Sequence, residues 1–200
     1  MIRIGKVAAL LVLTACLACL HRSPAVVLHA LHPLSPAREV GTSSSAMALE
    51  VMPVRLPEAL QHPQLLTALA SGTYELSDTH RWGNGLDKDA QRVLVENLSA
   101  LLGSDAVVPF PFGERVKATH RLEVDVQRLE GRPGGVLSLR ATWMLTGPQG
   151  GPALVRKRSA LDESVAGNSL EALVAAHDRI LDRLSREIAV SAASLVGGGK

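Results

Sequence analysis

One α/β domain, with an antiparallel or mixed sheet and two helices packed on one face, is the fold class that three stretches of the sequence predict. Leu122, Val124 and Val126 alternate with Glu123, Asp125 and Gln127, the period-two pattern of a strand with one buried face. Residues 86–102 and 169–193 instead carry their apolar side chains at helical spacing, each as a single stripe. A sheet and two helices that each own one apolar face bury them best against each other, in layers.

Taken in order, residues 26–31 form a first strand, followed by a Pro- and Ser-rich loop over 33–46. A second strand covers 48–54, and Pro53 marks its end or an edge position, because proline cannot donate to a ladder. Pro57 and Pro63 bracket a turn at 58–62, and residues 64–69 and 73–77 make a hairpin about Ser71-Gly72. In the helix over 86–102, Leu86, Ala90, Val93, Leu94, Asn97, Leu98, Leu101 and Leu102 share one face. Asp87 and Asp89 suit its positive start and Gly103 its end.

A short strand at 106–108 stops at Pro109 and Pro111. Beyond the alternating 122–127 stretch, Arg132-Pro133-Gly134-Gly135 turns the chain, and Leu137, Leu139, Ala141, Trp143 and Leu145 lie on one face of the return strand. Residues 153–159 complete a three-stranded meander, with Arg156-Lys157-Arg158 charging an exposed edge against further pairing. The last helix has the stripe Leu170, Leu173, Val174, His177, Leu181, Leu184, Ile188 and Ala192, and Asn168 with Glu171 has capping-box spacing.

The N-terminus carries a different message. Arg3 and Lys6 precede a short apolar run that ends in Leu13-Thr14-Ala15-Cys16. The run is too short to cross ~30 Å of hydrocarbon, so it reads as a secretory signal. A small residue directly before a cysteine is the bacterial lipobox pattern, in which the Cys16 thiolate takes a diacylglyceryl group and becomes the first residue after cleavage. Each buried CH2 contributes ~0.8 kcal/mol, so several acyl chains on Cys16 hold a protein firmly to a membrane. Leu17 stands where an Asp would signal retention in the inner membrane, which favours the outer membrane and its periplasmic face. The organisation expected is a signal peptide at 1–15, a lipidated tether at 16–25, the domain at 26–193 and a flexible tail at 194–200.

Cleavage removes Arg3 and Lys6, which balances the 21 basic against the 19 acidic residues and leaves the mature chain formally neutral. A neutral chain implies no nucleic-acid partner. Both cysteines, Cys16 and Cys19, lie at the cleavage region, so the domain holds no disulfide, and Leu20 replaces the His that haem attachment needs. No catalytic constellation stands out: there is no Gly-x-Ser-x-Gly, phosphate loop or His-Glu-x-x-His. His29 and His32 on one strand point to opposite faces, and His177 on an apolar stripe reads as a satisfied core residue. The reading is therefore non-enzymatic, with lipidation at Cys16 as the one assigned site and no catalytic residue, cofactor or metal.

Across nearly the whole mature chain the order of residues resembles the PqiC/YmbA-type ABC-transport auxiliary lipoproteins. The segments that carry this are Met52-Pro53-Val54-Arg55-Leu56-Pro57-Glu58-Ala59-Leu60, Pro63-Gln64-Leu65-Leu66, His80-Arg81-Trp82 with Leu86, Val93-Leu94-Val95-Glu96-Asn97-Leu98, Leu122-Glu123-Val124-Asp125-Val126, residues 135–143 and Leu184-Ser185-Arg186-Glu187-Ile188-Ala189. Two places depart from the family: its first strand usually has aromatics where Val26-Val27-Leu28-His29 stand, and Gly83-Asn84-Gly85 replaces a small residue, Glu and Pro. The resemblance implies an outer-membrane-anchored, periplasmic component of an MCE-linked lipid transport system that docks the trans-periplasmic conduit. Its partners would be an MCE-domain protein and the membrane through the lipid anchor, and a domain of this size can also associate with copies of itself as a homo-oligomer. The rival readings are a small periplasmic ligand-binding or hydrolytic lipoprotein and a structural envelope lipoprotein.

Overall fold

The computed structural model describes residues 24–33, 47–69, 72–111 and 117–197. Cys16 and Cys19, the signal peptide and residues 198–200 lie outside these. In chain order the elements are β1 (Val27–His29), β2 (Leu49–Val51), a short 3-10 turn (Glu58–Leu60), β3 (Gln64–Ala68), β4 (Tyr74–Trp82), α1 (Leu86–Leu102), β5 (Val107–Pro109), β6 (His120–Glu130), β7 (Val136–Thr146), a second 3-10 turn (Pro148–Gly150), β8 (Ala153–Ser164) and α2 (Leu170–Gly197).

The fold is the expected α/β domain, but its strands divide between two mixed sheets. The larger has the order β5-β2-β6-β7-β8, with β5, β2 and β6 parallel and β6 to β8 the antiparallel meander. The smaller has the order β1-β4-β3, with β1 parallel and β3 antiparallel to β4. The two join near the end of β6, where Ala68 N–H donates to the Gly131 carbonyl at 2.9 Å.

Both helices cover one face of the larger sheet. Leu122, Val124 and Val126 face them, then a bulge between Val126 and Arg128 shifts the phase and brings Leu129 inward. Leu137, Leu139, Ala141, Trp143 and Leu145 form the facing row on β7, with Trp143 the largest fully buried side chain. Its Nε1–H donates to Ser159 Oγ at 2.9 Å, which satisfies the one polar atom the indole takes out of water. From α1 come Val93, Leu94 and Leu98, and from α2 Leu173, Ile180, Leu184 and Ile188, all fully buried. Full burial of one such side chain stabilises by ~1.5–3 kcal/mol, so this layer dominates the stability of the domain. Asn97 on the apolar stripe of α1 donates to Ser185 Oγ on α2 at 3.2 Å, and Ser185 donates to the Leu181 carbonyl at 2.7 Å.

Helix α1 has the expected bounds, and Gly103 ends it with a left-handed φ of 60°, where a side chain would be strained. At α2 the cap differs from the expectation: Ser169, not Asn168, accepts the Ala172 N–H at 3.2 Å. Asn168 instead lies over the turn before β7, where a Cβ on Gly134 would meet its Oδ1 at 2.1 Å. The helix also runs on to Gly197, so residues 194–197, assigned to the tail by sequence, continue it. Ile180 joins its buried face beside the expected stripe.

Strand β2 is the other correction. It is shorter than the expected 48–54, and of the two roles open to Pro53 the structure has the first: the strand ends at Val51, ahead of the proline, and lies between β5 and β6 instead of at an edge. Gln91 of α1 fastens this region by donating to the carbonyls of Val51 and Phe110 at 2.9 and 3.1 Å. At the opposite edge, Arg156, Lys157 and Arg158 on β8 are exposed, as expected for a protected edge strand. Among the described residues, no helix is long and apolar enough to cross a membrane.

Candidate functional site

Chain running from Cys16 meets the folded domain at residues 24–33, so the way this segment is held decides how an anchor would be coupled to the domain. Strand β1 contributes only three residues, in register Val27 to His80, Leu28 to Arg81 and His29 to Trp82. Apolar burial does little for it: Val26, Val27 and Leu28 are 49%, 42% and 67% exposed. Immediately after β1, polar groups of both helices tie the chain down. Leu31 is fully buried, its N–H donates to Asp89 Oδ2 at 3.2 Å, and Arg92 donates to its carbonyl. His32 N–H donates to Asp178 Oδ1 at 2.9 Å.

Asp89 is itself buried, with Arg92 Nη2 at 3.4 Å from its Oδ1. A buried carboxylate costs several kcal/mol unless it is paired and hydrogen-bonded, and here a cation and a backbone N–H supply both. Asp178 is mostly buried as well, and burial pushes its pKa above the ordinary value while the His32 backbone N–H works to lower it. Residues 31 and 32 are thus pinned between α1 and α2.

Beside His29 in the ladder stands Trp82 at the end of β4, in edge-to-face contact with His177 of α2 at 5.5 Å between ring centroids. Trp82 is a packing anchor, buried to 5% exposure. His177 is buried and its Nδ1–H donates to the Leu173 carbonyl at 2.8 Å, which makes it the satisfied core histidine that its position on the stripe implies. Burial lowers its pKa to about 4, so the ring is neutral at ordinary pH.

On the same face of the sheet, the pairing of β1 with β4 brings together His29 and His80, with Nε2 of the first 2.8 Å from Nδ1 of the second. The rings are 12° from parallel with centroids 5.1 Å apart. That separation is the nitrogen distance plus the reach of each nitrogen from its ring centre, so the rings meet edge to edge through an N–H···N bond, not face to face. Glu171, in the first turn of α2, brings Oε1 to 3.9 Å from His80 Nδ1. Its pKa is lowered by its own backbone N–H and by the Ser169 hydroxyl, so the carboxylate is ionised. Burial and the neighbouring His80 lower the pKa of His29, which keeps that ring neutral. His29 and His32 are not brought together, in keeping with the opposite faces their spacing implies; His32 goes to Asp178 and His29 to His80. Sequence spacing missed His80 and Glu171 because three elements far apart in the chain supply the cluster. The one local hint is that the residues from Tyr74 to Trp82 continue as a single strand.

A second concave region lies where the two sheets meet. Arg128, Glu130 and Tyr74 line a cleft of about 500 Å³ with Leu69 and Val136. The Tyr74 hydroxyl donates to Glu130, and Arg128 Nε donates to Glu130 at 2.8 Å. All three groups satisfy one another.

The sequence pattern of the family described as ABC-type transport auxiliary lipoprotein component matches residues 29–189. None of the curated proteins compared with the chain matches it. Among solved structures, an uncharacterized protein shares 21% identity and superposes with a TM-score of 0.67 over 84% of this chain and 99% of its own. A protein from Xanthomonas campestris of the DUF330 family shares 13% identity, with a TM-score of 0.69 over 86% of this chain and 97% of its own. At these identities the likeness is one of fold.

Proposed function

The chain belongs to the ABC-type transport auxiliary lipoprotein family, and from that premise we propose that it is an outer-membrane-anchored periplasmic subunit of an MCE-linked lipid transport system. Cys16 carries the anchor, and Leu17 after it favours the outer membrane. The folded domain is a protein-binding module that docks the outer end of the conduit formed by its MCE partner, and it catalyses nothing.

The observation that carries this reading is the position of the family match. It starts at His29, just after a lipobox and a short tether, and runs to Ala189 through both sheets and both helices. The pinning of residues 31 and 32 between the helices fits a subunit that must hold a partner at a set distance from a membrane. A standard interface needs roughly 800 Å² on each partner, which a domain of this size can present.

Co-purification is the test. The mature protein in detergent is mixed with the MCE subunit encoded in the same gene cluster, and a stable complex is expected. Lack of association, together with turnover of an ester or phosphate substrate that a single polar substitution abolishes, would favour the hydrolytic lipoprotein instead.

A further inference from the structure

We propose that His29, His80 and Glu171 form a binding site for one borderline divalent cation, with Zn2+ as the best fit, which clasps the N-terminal strand β1 to β4 and α2. One ligand atom from each of three separate elements lies within 4.8 Å of the other two, with His29 Nε2 2.8 Å from His80 Nδ1 and that nitrogen 3.9 Å from Glu171 Oε1. Two imidazoles and one carboxylate are the donor set that Zn2+, Ni2+, Cu2+ and Co2+ accept, whereas Ca2+ and Mg2+ select oxygen.

The distances suit a tetrahedral ion after shifts of about half an ångström, together with a swing of roughly 35° by each ring, because the facing nitrogens now point at each other and must converge on the ion instead. Zn–N bonds of about 2.0–2.1 Å place two ligand atoms about 3.3 Å apart. The His29–His80 nitrogen pair at 2.8 Å must widen by about half an ångström, and the Glu171–His80 pair at 3.9 Å must close by a similar amount. Glu171, 61% exposed along its side chain, is free to make its part of that movement. On binding, the ring that donates the N–H···N bond changes tautomer, giving its facing proton up to solvent while its far nitrogen takes one, so both facing nitrogens offer a lone pair and the direct hydrogen bond is exchanged for two metal bonds. The carboxylate is already ionised and no group must be newly charged. Glu171 faces solvent, so the fourth coordination position stays open to water.

Such a clasp matters because β1 is otherwise weakly held. It forms a three-residue ladder at the sheet edge with exposed apolar side chains. A metal bond from His29 to both β4 and α2 would fix the segment next to the tether, in the same place where Asp89, Arg92 and Asp178 pin residues 31 and 32.

The experiment is a Co2+ titration of the lipidated mature chain in detergent, untagged and with Cys19→Ser throughout so that no thiol competes. One equivalent of Co2+ should give the visible absorption of a four-coordinate ion, and Zn2+ should displace it. His29→Ala and His80→Asn should each weaken binding on the order of tenfold or more, and Glu171→Gln, a surface change that leaves the fold intact by circular dichroism, should weaken it measurably. The proposal is overturned if the wild type shows no saturable uptake of Co2+ or Zn2+. It is equally overturned if the three variants bind as the wild type does, which would leave His29 and His80 as a hydrogen-bonded pair only.

Discussion

The five-stranded sheet with its two helices and the three-stranded sheet that receives the N-terminal segment are held by different forces. In the first, fully buried apolar side chains from β2, β6, β7, α1 and α2 meet in one layer. In the second, Leu31, Leu65 and Trp82 reach the same core, but Val27, Leu28, Tyr74 and Leu76 are exposed, and the N-terminal segment is fixed in addition by Asp89, Arg92, Asp178 and the His29–His80 contact. Apolar burial is non-directional and tolerates small shifts, so it suits a scaffold. Hydrogen bonds to charged groups have fixed partners and geometry, so they suit a segment that must leave the domain at one place and in one direction.

The largest expected effect lies in the first region. Leu98 is fully buried on α1, and Leu98→Ala should destabilise the domain by ~2–5 kcal/mol, read as a lower urea midpoint with unchanged slope. An unchanged midpoint would remove α1 from the common core and erase the difference between the two regions.

A pH titration of stability probes the boundary between the regions, because His177 packs on Trp82 from the helix side. The unfolded ring takes up a proton near 6.5 and the native ring only near about 4. The native state therefore binds fewer protons in this window, and stability falls as pH drops from about 6.5 towards 4, by roughly 3 kcal/mol in all. Asp178, whose folded pKa is raised by burial, contributes in the opposite sense at the acid end. The check is consequently a difference: His177→Asn should flatten the slope relative to the wild type, and parallel curves would contradict the assignment.

Asp89→Ala should cost less, about 1–3 kcal/mol, because it leaves the buried Leu31 N–H without an acceptor and takes a carboxylate from Arg92. Its signature should be local. Amide exchange at Leu31 and His32 should accelerate far more than exchange in β6 and β7, and uniform acceleration would mean that the two regions unfold as one.

These regions also differ in how far the sequence discloses them. Helix α1 is legible to its last residue, because its stripe, its acidic start and Gly103 all mark the same bounds. The meander is legible because two-residue alternation over long strands is a local signal, although the bulge at Gln127 and the full length of β8 are not. Strands β1 and β2 are too short to show a period, and their parallel partners β4, β5 and β6 lie far along the chain. For that reason neither the split into two sheets nor the central place of β2 could be read. The His29–His80–Glu171 cluster escapes for the same reason: local spacing offers His29 and His32, while tertiary pairing gives His29 a different partner. At the head of α2, Ser169 and Asn168 are adjacent residues that can both cap a helix, and the Gly134 turn decides between them by taking Asn168.

The central claim is that a folded docking domain is tied to a membrane through Cys16, and labelled palmitate tests it most directly. Wild-type chain and Cys16→Ala are expressed in a Gram-negative host with the label, and each is recovered from membrane and soluble fractions. The wild type should carry label and sediment with outer membranes, whereas Cys16→Ala should be unlabelled. Equal labelling of both chains, or a wild type without label, would contradict that claim.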